Sequence, residues 1–190
     1  YAAAGIEIEP GNPEFHRFAG RSFRETGEFD KAHTAYDQDV TLAPRDAGLL
    51  LDRAMTRILL GRYPQAVEDC TASLTVRLSG PAYALRAFAR LKEGSSLEAA
   101  REDSVNALTL QPDEVTALLV RANIDLRKGR ISDALGDSLK ALRHDPGQPW
   151  AYVTYGSALI GVGRFEEGLK VLDRVLEMAP GDGEARLARG

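Results

Sequence analysis

Apolar and small side chains recur along this chain at a fixed step of 34 residues. One aliphatic column holds Ile6, Val40, Leu74, Leu108, Leu142 and Leu176. A column of small residues holds Ala32, Ala66, Ala100, Ala134 and Gly168. Self-similarity at a fixed period is typical of repeat proteins, in which each unit buries its apolar face only against its neighbours.

Within each repeat, the apolar residues fall at helical spacing, so each repeat predicts two amphipathic helices. The first helices are predicted over 13–26, 47–60, 81–93, 115–128 and 149–162. The second helices are predicted over 29–43, 63–77, 97–110, 131–144 and 165–178. A glycine such as Gly61 ends each first helix, and a proline such as Pro44 ends most of the second helices.

These columns together resemble the tetratricopeptide repeat, a helix–turn–helix unit with small residues at fixed positions, an aromatic residue and a late proline. The resemblance covers essentially the whole chain. It implies an all-α fold, a right-handed α-solenoid of stacked antiparallel helix pairs.

The same register divides the chain into five complete repeats. Repeats one to five are predicted over 13–46, 47–79, 80–114, 115–148 and 149–182. Residues 1–12 match the end of a preceding helix, and residues 183–190 match the start of a following or capping helix.

Composition narrows the class of partner. The 24 Lys and Arg residues against 28 Asp and Glu residues give a formal charge of −4, and this mild acidity argues against nucleic acid as the main partner. The apolar runs are too short to predict a membrane span. Cys70 is the single cysteine, so no internal disulfide is expected, and the sequence does not fix the compartment, although a cytoplasmic one is favoured.

Arginine and aspartate appear together in the middle repeats. The three pairs are Arg53/Asp69, Arg86/Asp103 and Arg121/Asp137, whereas repeats one and five have neither residue at these positions. Because the two positions face each other across the helices of one repeat, we predict three buried or half-buried ion pairs that serve structure and not ligand binding.

Residues for catalysis or metal binding are not evident. His16, His33 and His144 have no spacing typical of a metal site, so we expect no enzyme activity, no metal and no cofactor. His33 is expected to be solvated, and the other two histidines, which stand in packing columns, are expected to be core or boundary residues. Cys70 stands in a core column and is expected to be a buried, inert thiol.

The resemblance implies that the first helices line a concave surface on which partners bind. The groove residues predicted on this basis are Arg17, Phe18, Arg21, Arg24, Leu51, Met55, Leu59, Leu85, Phe88, Leu119, Asn123, Trp150 and Val153. This groove is apolar in its middle and basic at its N-terminal end. We therefore predict a protein or peptide partner with a hydrophobic segment, and an acidic flank of that segment would suit the three arginines.

Several alternatives stay open. Some of these residues could belong to the core, or a further segment of the parent chain could fill the groove. The chain could also be a regulatory or targeting domain of a larger enzyme, or it could self-associate through its exposed ends. Binding of an Hsp70 or Hsp90 tail is not expected, because the positions of that family's carboxylate clamp are not met and Asp52 would repel a terminal carboxylate.

Overall fold

The computed structural model describes residues 13–94 and 96–190, and all regular elements of this part of the chain are α-helices. The chain divides into two compact units, one up to Ser95 and one from Ser96. The segment expected to end a preceding helix, 1–12, lies outside the described residues.

Five helices form the N-terminal unit. They are α1 (Pro13–Glu25), α2 (Phe29–Leu42), α3 (Ala47–Leu59), α4 (Tyr63–Val76) and α5 (Gly80–Glu93). Each helix packs on the next one in the chain, and the first helices α1, α3 and α5 also contact in that order.

The C-terminal unit repeats this arrangement. Its helices are α6 (Leu97–Leu110), α7 (Val115–Arg127), α8 (Ile131–His144), α9 (Pro149–Gly161), α10 (Phe165–Met178) and α11 (Gly183–Arg189). Consecutive helices again pack together, and α7 also contacts α9. The ten helices predicted from the sequence all agree with the observed bounds to within one residue.

Local chemistry explains the helix ends. The column glycines have left-handed backbone angles, with φ of 78° at Gly94 at the end of α5, which residues with a β-carbon rarely adopt. Asp46 begins α3 by accepting a hydrogen bond from the Leu49 amide at 3.0 Å. These residues fix where each helix starts and stops, and therefore which side chains face the groove.

Small residues make close helix packing possible. The alanines of the small column are fully buried, namely Ala32, Ala66, Ala100 and Ala134. In the N-terminal unit, Ala32 packs with Tyr36 and Leu49 in one apolar cluster. Neighbouring helices can therefore approach each other closely where these small residues lie between them.

Candidate functional site

The N-terminal unit carries an open apolar cavity on the side of its first helices. Its volume is about 480 Å³, and its lining residues are Arg24 and Glu25 of α1, Leu51, Asp52, Met55 and Leu59 of α3, and Pro81 and Leu85 of α5. Eight residues of α1, α3 and α5 thus form one surface, which we call the groove.

Helical spacing explains why α3 forms the floor of the groove. Leu51, Met55 and Leu59 follow one another at intervals of four residues and therefore lie on one face of the helix. Leu50 and Ala54, which are buried in the core, lie on an adjacent side of the same helix. Since α3 is apolar beyond its buried side, folding alone does not account for the apolar groove face.

Access to the groove differs among the predicted residues. Leu59 and Phe18 are exposed, whereas Leu51, Met55 and Leu85 are half-buried. Phe88 is half-buried as well and packs against the cluster of Ile58, Ala66 and Ala89. Phe88 therefore contributes to the core of the unit, while Leu59 has the most open position on the floor.

The carboxylate of Asp52 on α3 forms ion pairs with all three arginines of α1. The nitrogen–oxygen distances to Asp52 are 3.6 Å from Arg17, 3.1 Å from Arg21 and 3.4 Å from Arg24. Arg17 also pairs with Asp46 at 3.2 Å. Three guanidinium groups thus share the carboxylates of Asp46 and Asp52 at this end of the groove, and Arg21 remains exposed.

The pKa values at this end of the groove reflect the same contacts. The hydrogen bond from the Leu49 amide, ahead of the charge of Arg17, lowers the pKa of Asp46. The hydrogen bond and the charge of Asp52 raise the pKa of Arg21, so this arginine is always charged. Burial, followed by the charge of Asp52, raises the pKa of Tyr36 to about 12.

Two of the groove residues predicted in the C-terminal unit are core residues. Leu119 is fully buried in a cluster with Leu118, Ala141 and Ala151. Val153 is buried with Leu172, Val175 and Ala185. The prediction that these two side chains line a groove is wrong, because the helices that follow cover them.

The other two predicted residues of that unit are half-buried. Trp150 packs on the cluster that contains Leu118. The Asn123 side-chain amide donates to the Thr154 hydroxyl at 3.4 Å. Asn123 is thus partly engaged by a neighbouring helix.

The structure brings together the members of two predicted ion pairs. Arg53 donates to both oxygens of Asp69, at 3.0 and 2.6 Å, and Arg121 does the same to Asp137, at 2.6 and 2.8 Å. Arg86 and Asp103 belong to different units, and their pairing stays a prediction.

Residues that the sequence reasoning missed extend the first pair into a network. Arg57 reaches Asp69 at 2.8 Å, and its Nε donates to the His33 ring at 3.4 Å. Arg53 also donates to Asp37 at 2.7 Å. The expectation that His33 is solvated is wrong, because its side chain is mostly buried in this network.

The remaining candidates for chemistry are Cys70, His144 and His16. Cys70 is buried. His144 is exposed, contrary to the expectation that it is a core or boundary residue, and the side chain of His16 lies outside the described residues. In the part of the chain that the structure describes, no group of three or more His, Cys, Asp or Glu residues is placed to hold a metal ion. No helix there is long and apolar enough to cross a membrane.

Comparison with protein families gives two matches to the tetratricopeptide repeat. The matches cover residues 19–82 and 139–190, together more than half of the chain. Similar curated proteins include the Protein CTR9 homolog of Arabidopsis thaliana, 34% identical over 84 residues, and RNA polymerase II-associated protein 3 of Rattus norvegicus, 28% identical over 122 residues. These matches cover 44% and 64% of this chain but only 8% and 18% of the relatives. The chain therefore spans a small part of the length of the curated relatives that it matches.

Solved structures agree on the fold. The Cut9–Hcn1 hetero-tetramer of the APC/C superimposes with a TM-score of 0.88 at 14% identity, over 99% of this chain and 37% of that one. A thermophilic TPR protein of Thermus thermophilus gives 0.73 at 21% identity, over 94% and 97%. YrrB, described as a TPR protein with an unusual peptide-binding site, gives 0.63 at 17% identity, over 99% and 97%. At these identities the likeness shows the fold alone.

Proposed function

We propose that this chain, which belongs to the tetratricopeptide repeat family, binds a hydrophobic segment of a partner protein in the groove of its N-terminal unit. At the coarser level, the tetratricopeptide repeat fold is that of a protein–protein interaction scaffold. The single observation that carries the proposal is the apolar cavity of about 480 Å³ lined by α1, α3 and α5.

The chemistry of the groove favours an apolar side chain as the anchor. Three of the lining side chains are apolar and half-buried, namely Leu51, Met55 and Leu85. Part of their surface therefore faces the open side of the groove. Burial of such surface gains about 25 cal/mol per Å². The unbranched Met55 can also adapt to the shape of a ligand. The peptide-binding site described for YrrB supports a peptide as the ligand of this fold.

The arginines set the expected flank of that segment. Arg24 lines the cavity and contacts Asp52, so a partner carboxylate beside the apolar anchor would meet Arg24 and the exposed Arg21. Asp52 also repels a carboxylate that approaches closely, so the acidic residue of the partner is expected beside the exposed Arg21 and not against Asp52.

The second candidate is a regulatory or targeting domain of a larger enzyme whose catalytic residues lie outside this sequence. The chain covers only 8% and 18% of the curated relatives that it matches, so similar repeats occur as one part of longer proteins. The family consists generally of non-enzymatic scaffolds, and the groove would serve either role.

Selection from a displayed library of random peptides, carried out on the purified chain, tests the proposal. We expect enriched peptides that share a large apolar residue with an acidic residue close to it. Enrichment should disappear when Leu59→Glu is the bait, because the new carboxylate lies on the groove floor. Enrichment of basic or wholly polar peptides, or equal enrichment on the variant, would refute the groove as the binding site.

A further inference from the structure

Two equivalent positions of the repeat pattern hold side chains of opposite charge and different length. Arg57 on α3 and Asp125 on α7 are 68 residues apart, which is twice the period of 34, and so hold equivalent places in repeats two and four. Around them the pattern repeats, since Arg53 and Asp69 correspond to Arg121 and Asp137. The contacts of Arg57 in repeat two can therefore be compared directly with those of Asp125 in repeat four.

In repeat two, the guanidinium of Arg57 fills the space between α2, α3 and α4. It contacts Asp69 at 2.8 Å, donates to the backbone carbonyl of Gln65 at 3.0 Å and contacts the ring of His33 at 3.4 Å. Asp69 thus holds two arginines, Arg53 and Arg57, at the same time. The network shows that two guanidinium groups fit around this carboxylate.

In repeat four, the corresponding space is a cavity of about 430 Å³. Its lining residues are Arg101, Arg121, Asp125, Ser132, Asp133, Gly136 and Asp137. Three of these correspond to residues that Arg57 contacts, because His33, Gln65 and Asp69 are equivalent to Arg101, Asp133 and Asp137. The short Asp125 leaves open the space that a guanidinium occupies in the other unit.

Asp125 also has an unused acceptor at this cavity. Its side chain is only 2% exposed, and the contacts from Arg101 and Arg130 all go to the same oxygen, Oδ1. Among the described residues, no donor hydrogen-bonds to Oδ2. Oδ2 is not a fully buried atom, so it can accept a hydrogen bond from a ligand that enters the cavity.

Gly136 widens the same space. It lies inside α8, where glycine costs helix stability, and a β-carbon there would meet no atom within 4 Å. The equivalent residue of repeat two is Glu68. The packing of the chain therefore does not require a glycine at this position. The absence of a side chain on Gly136 does, however, leave more room for a side chain of a ligand.

We propose that this cavity receives an arginine side chain of a partner protein, which there takes the place that Arg57 fills in repeat two. The guanidinium would donate to Asp125 Oδ2, to Asp137 beside Arg121, and to Asp133. The site lies in the C-terminal unit and involves none of the groove residues.

The test uses the full chain and three short blocked peptides, Gly-Arg-Gly, Gly-Lys-Gly and Gly-citrulline-Gly, followed by amide chemical shifts in NMR. Citrulline has the shape of arginine without its charge. We expect saturable shifts centred on Asp133, Gly136 and Asp137 with the arginine peptide, about tenfold weaker binding of the lysine peptide, and none with citrulline. Equal shifts with citrulline, or shifts centred elsewhere, would overturn the proposal.

Two variants separate binding from folding. Gly136→Leu fills the cavity and should abolish the shifts, while Gly136→Ala should keep them and only strengthen α8. Asp133→Asn should weaken binding of the arginine peptide about tenfold, because one charge-assisted hydrogen bond loses its ionised acceptor. Retained binding in Gly136→Leu, with its helices intact by circular dichroism, would contradict the assignment.

Discussion

The ring of Tyr36 occupies the place where a side chain at Gly20 would stand. A β-carbon built on Gly20 would lie 2.7 Å from Cζ of Tyr36, and Tyr36 itself is fully buried. The glycine thus allows α1 and α2 to approach each other over an aromatic ring. The groove depends on this contact, because α1 carries the arginines that meet α3.

Substitution of Gly20 by alanine should therefore destabilise the chain. The new methyl group forces the buried ring of Tyr36 to move, which costs about 1–3 kcal/mol in the free energy of unfolding. The matched control is Gly136→Ala, an open helical position that should gain about 0.5–1 kcal/mol. Urea denaturation of both variants measures the difference, and equal effects of the two would contradict the packing described.

Loss of Asp69 should cost more stability than loss of Asp137. Asp69 pairs with Arg53 and Arg57 and is 4% exposed, whereas Asp137 pairs with Arg121 and is 14% exposed. Removal of the Asp69 carboxylate leaves two arginines in a mostly buried place, so Asp69→Ala should lose about 3–5 kcal/mol. For Asp137→Ala we expect about 1–3 kcal/mol. The reverse order in chemical denaturation would refute the network.

His33 should make stability depend on pH. Burial, followed by the charges of Arg62, Arg57 and Arg53, lowers its pKa below 6.5 although Asp37 opposes this shift. The folded state thus favours the neutral ring. This contribution is fully present above pH 6.5 and is lost as the pH falls through the lowered pKa.

Two measurements check this direction. An NMR titration should place the pKa of His33 below 6.5, and His33→Gln should flatten the stability profile in the window just below that pH. A pKa of His33 at or above 6.5 would show that the pair with Asp37 outweighs burial.

Sequence reasoning predicted the helices because glycine and proline mark their ends. Gly94 needs its left-handed backbone wherever α5 stops, and Pro44 prevents α2 from continuing, so the bounds follow from single residues. The pair of Arg53 and Asp69 was accessible for a similar reason, because the two residues appear and disappear together among the repeats.

The contacts between repeats could not be predicted in this way. Whether Leu119 lies in a groove or in the core depends on how closely the next helices pack, and one sequence does not give that distance. The ion pairs of Arg21 and Arg24 with Asp52 also connect different repeats, so they too depend on how the repeats pack. The difference between Arg57 and Asp125, however, could have been found from the sequence, because the two residues hold equivalent positions of the 34-residue repeat.

The groove is the central claim, and calorimetric titration with the most enriched library peptide tests it most directly. Leu59→Glu should weaken binding at least about tenfold, because a carboxylate on the floor must be desolvated or keep the peptide out. Leu42→Glu is the matched control, since Leu42 is 53% exposed against 46% for Leu59 but lies on the second helix α2 and outside the groove. Unchanged affinity of the control beside a loss in Leu59→Glu is the predicted result. Equal affinities of both variants and the unaltered chain would contradict the account.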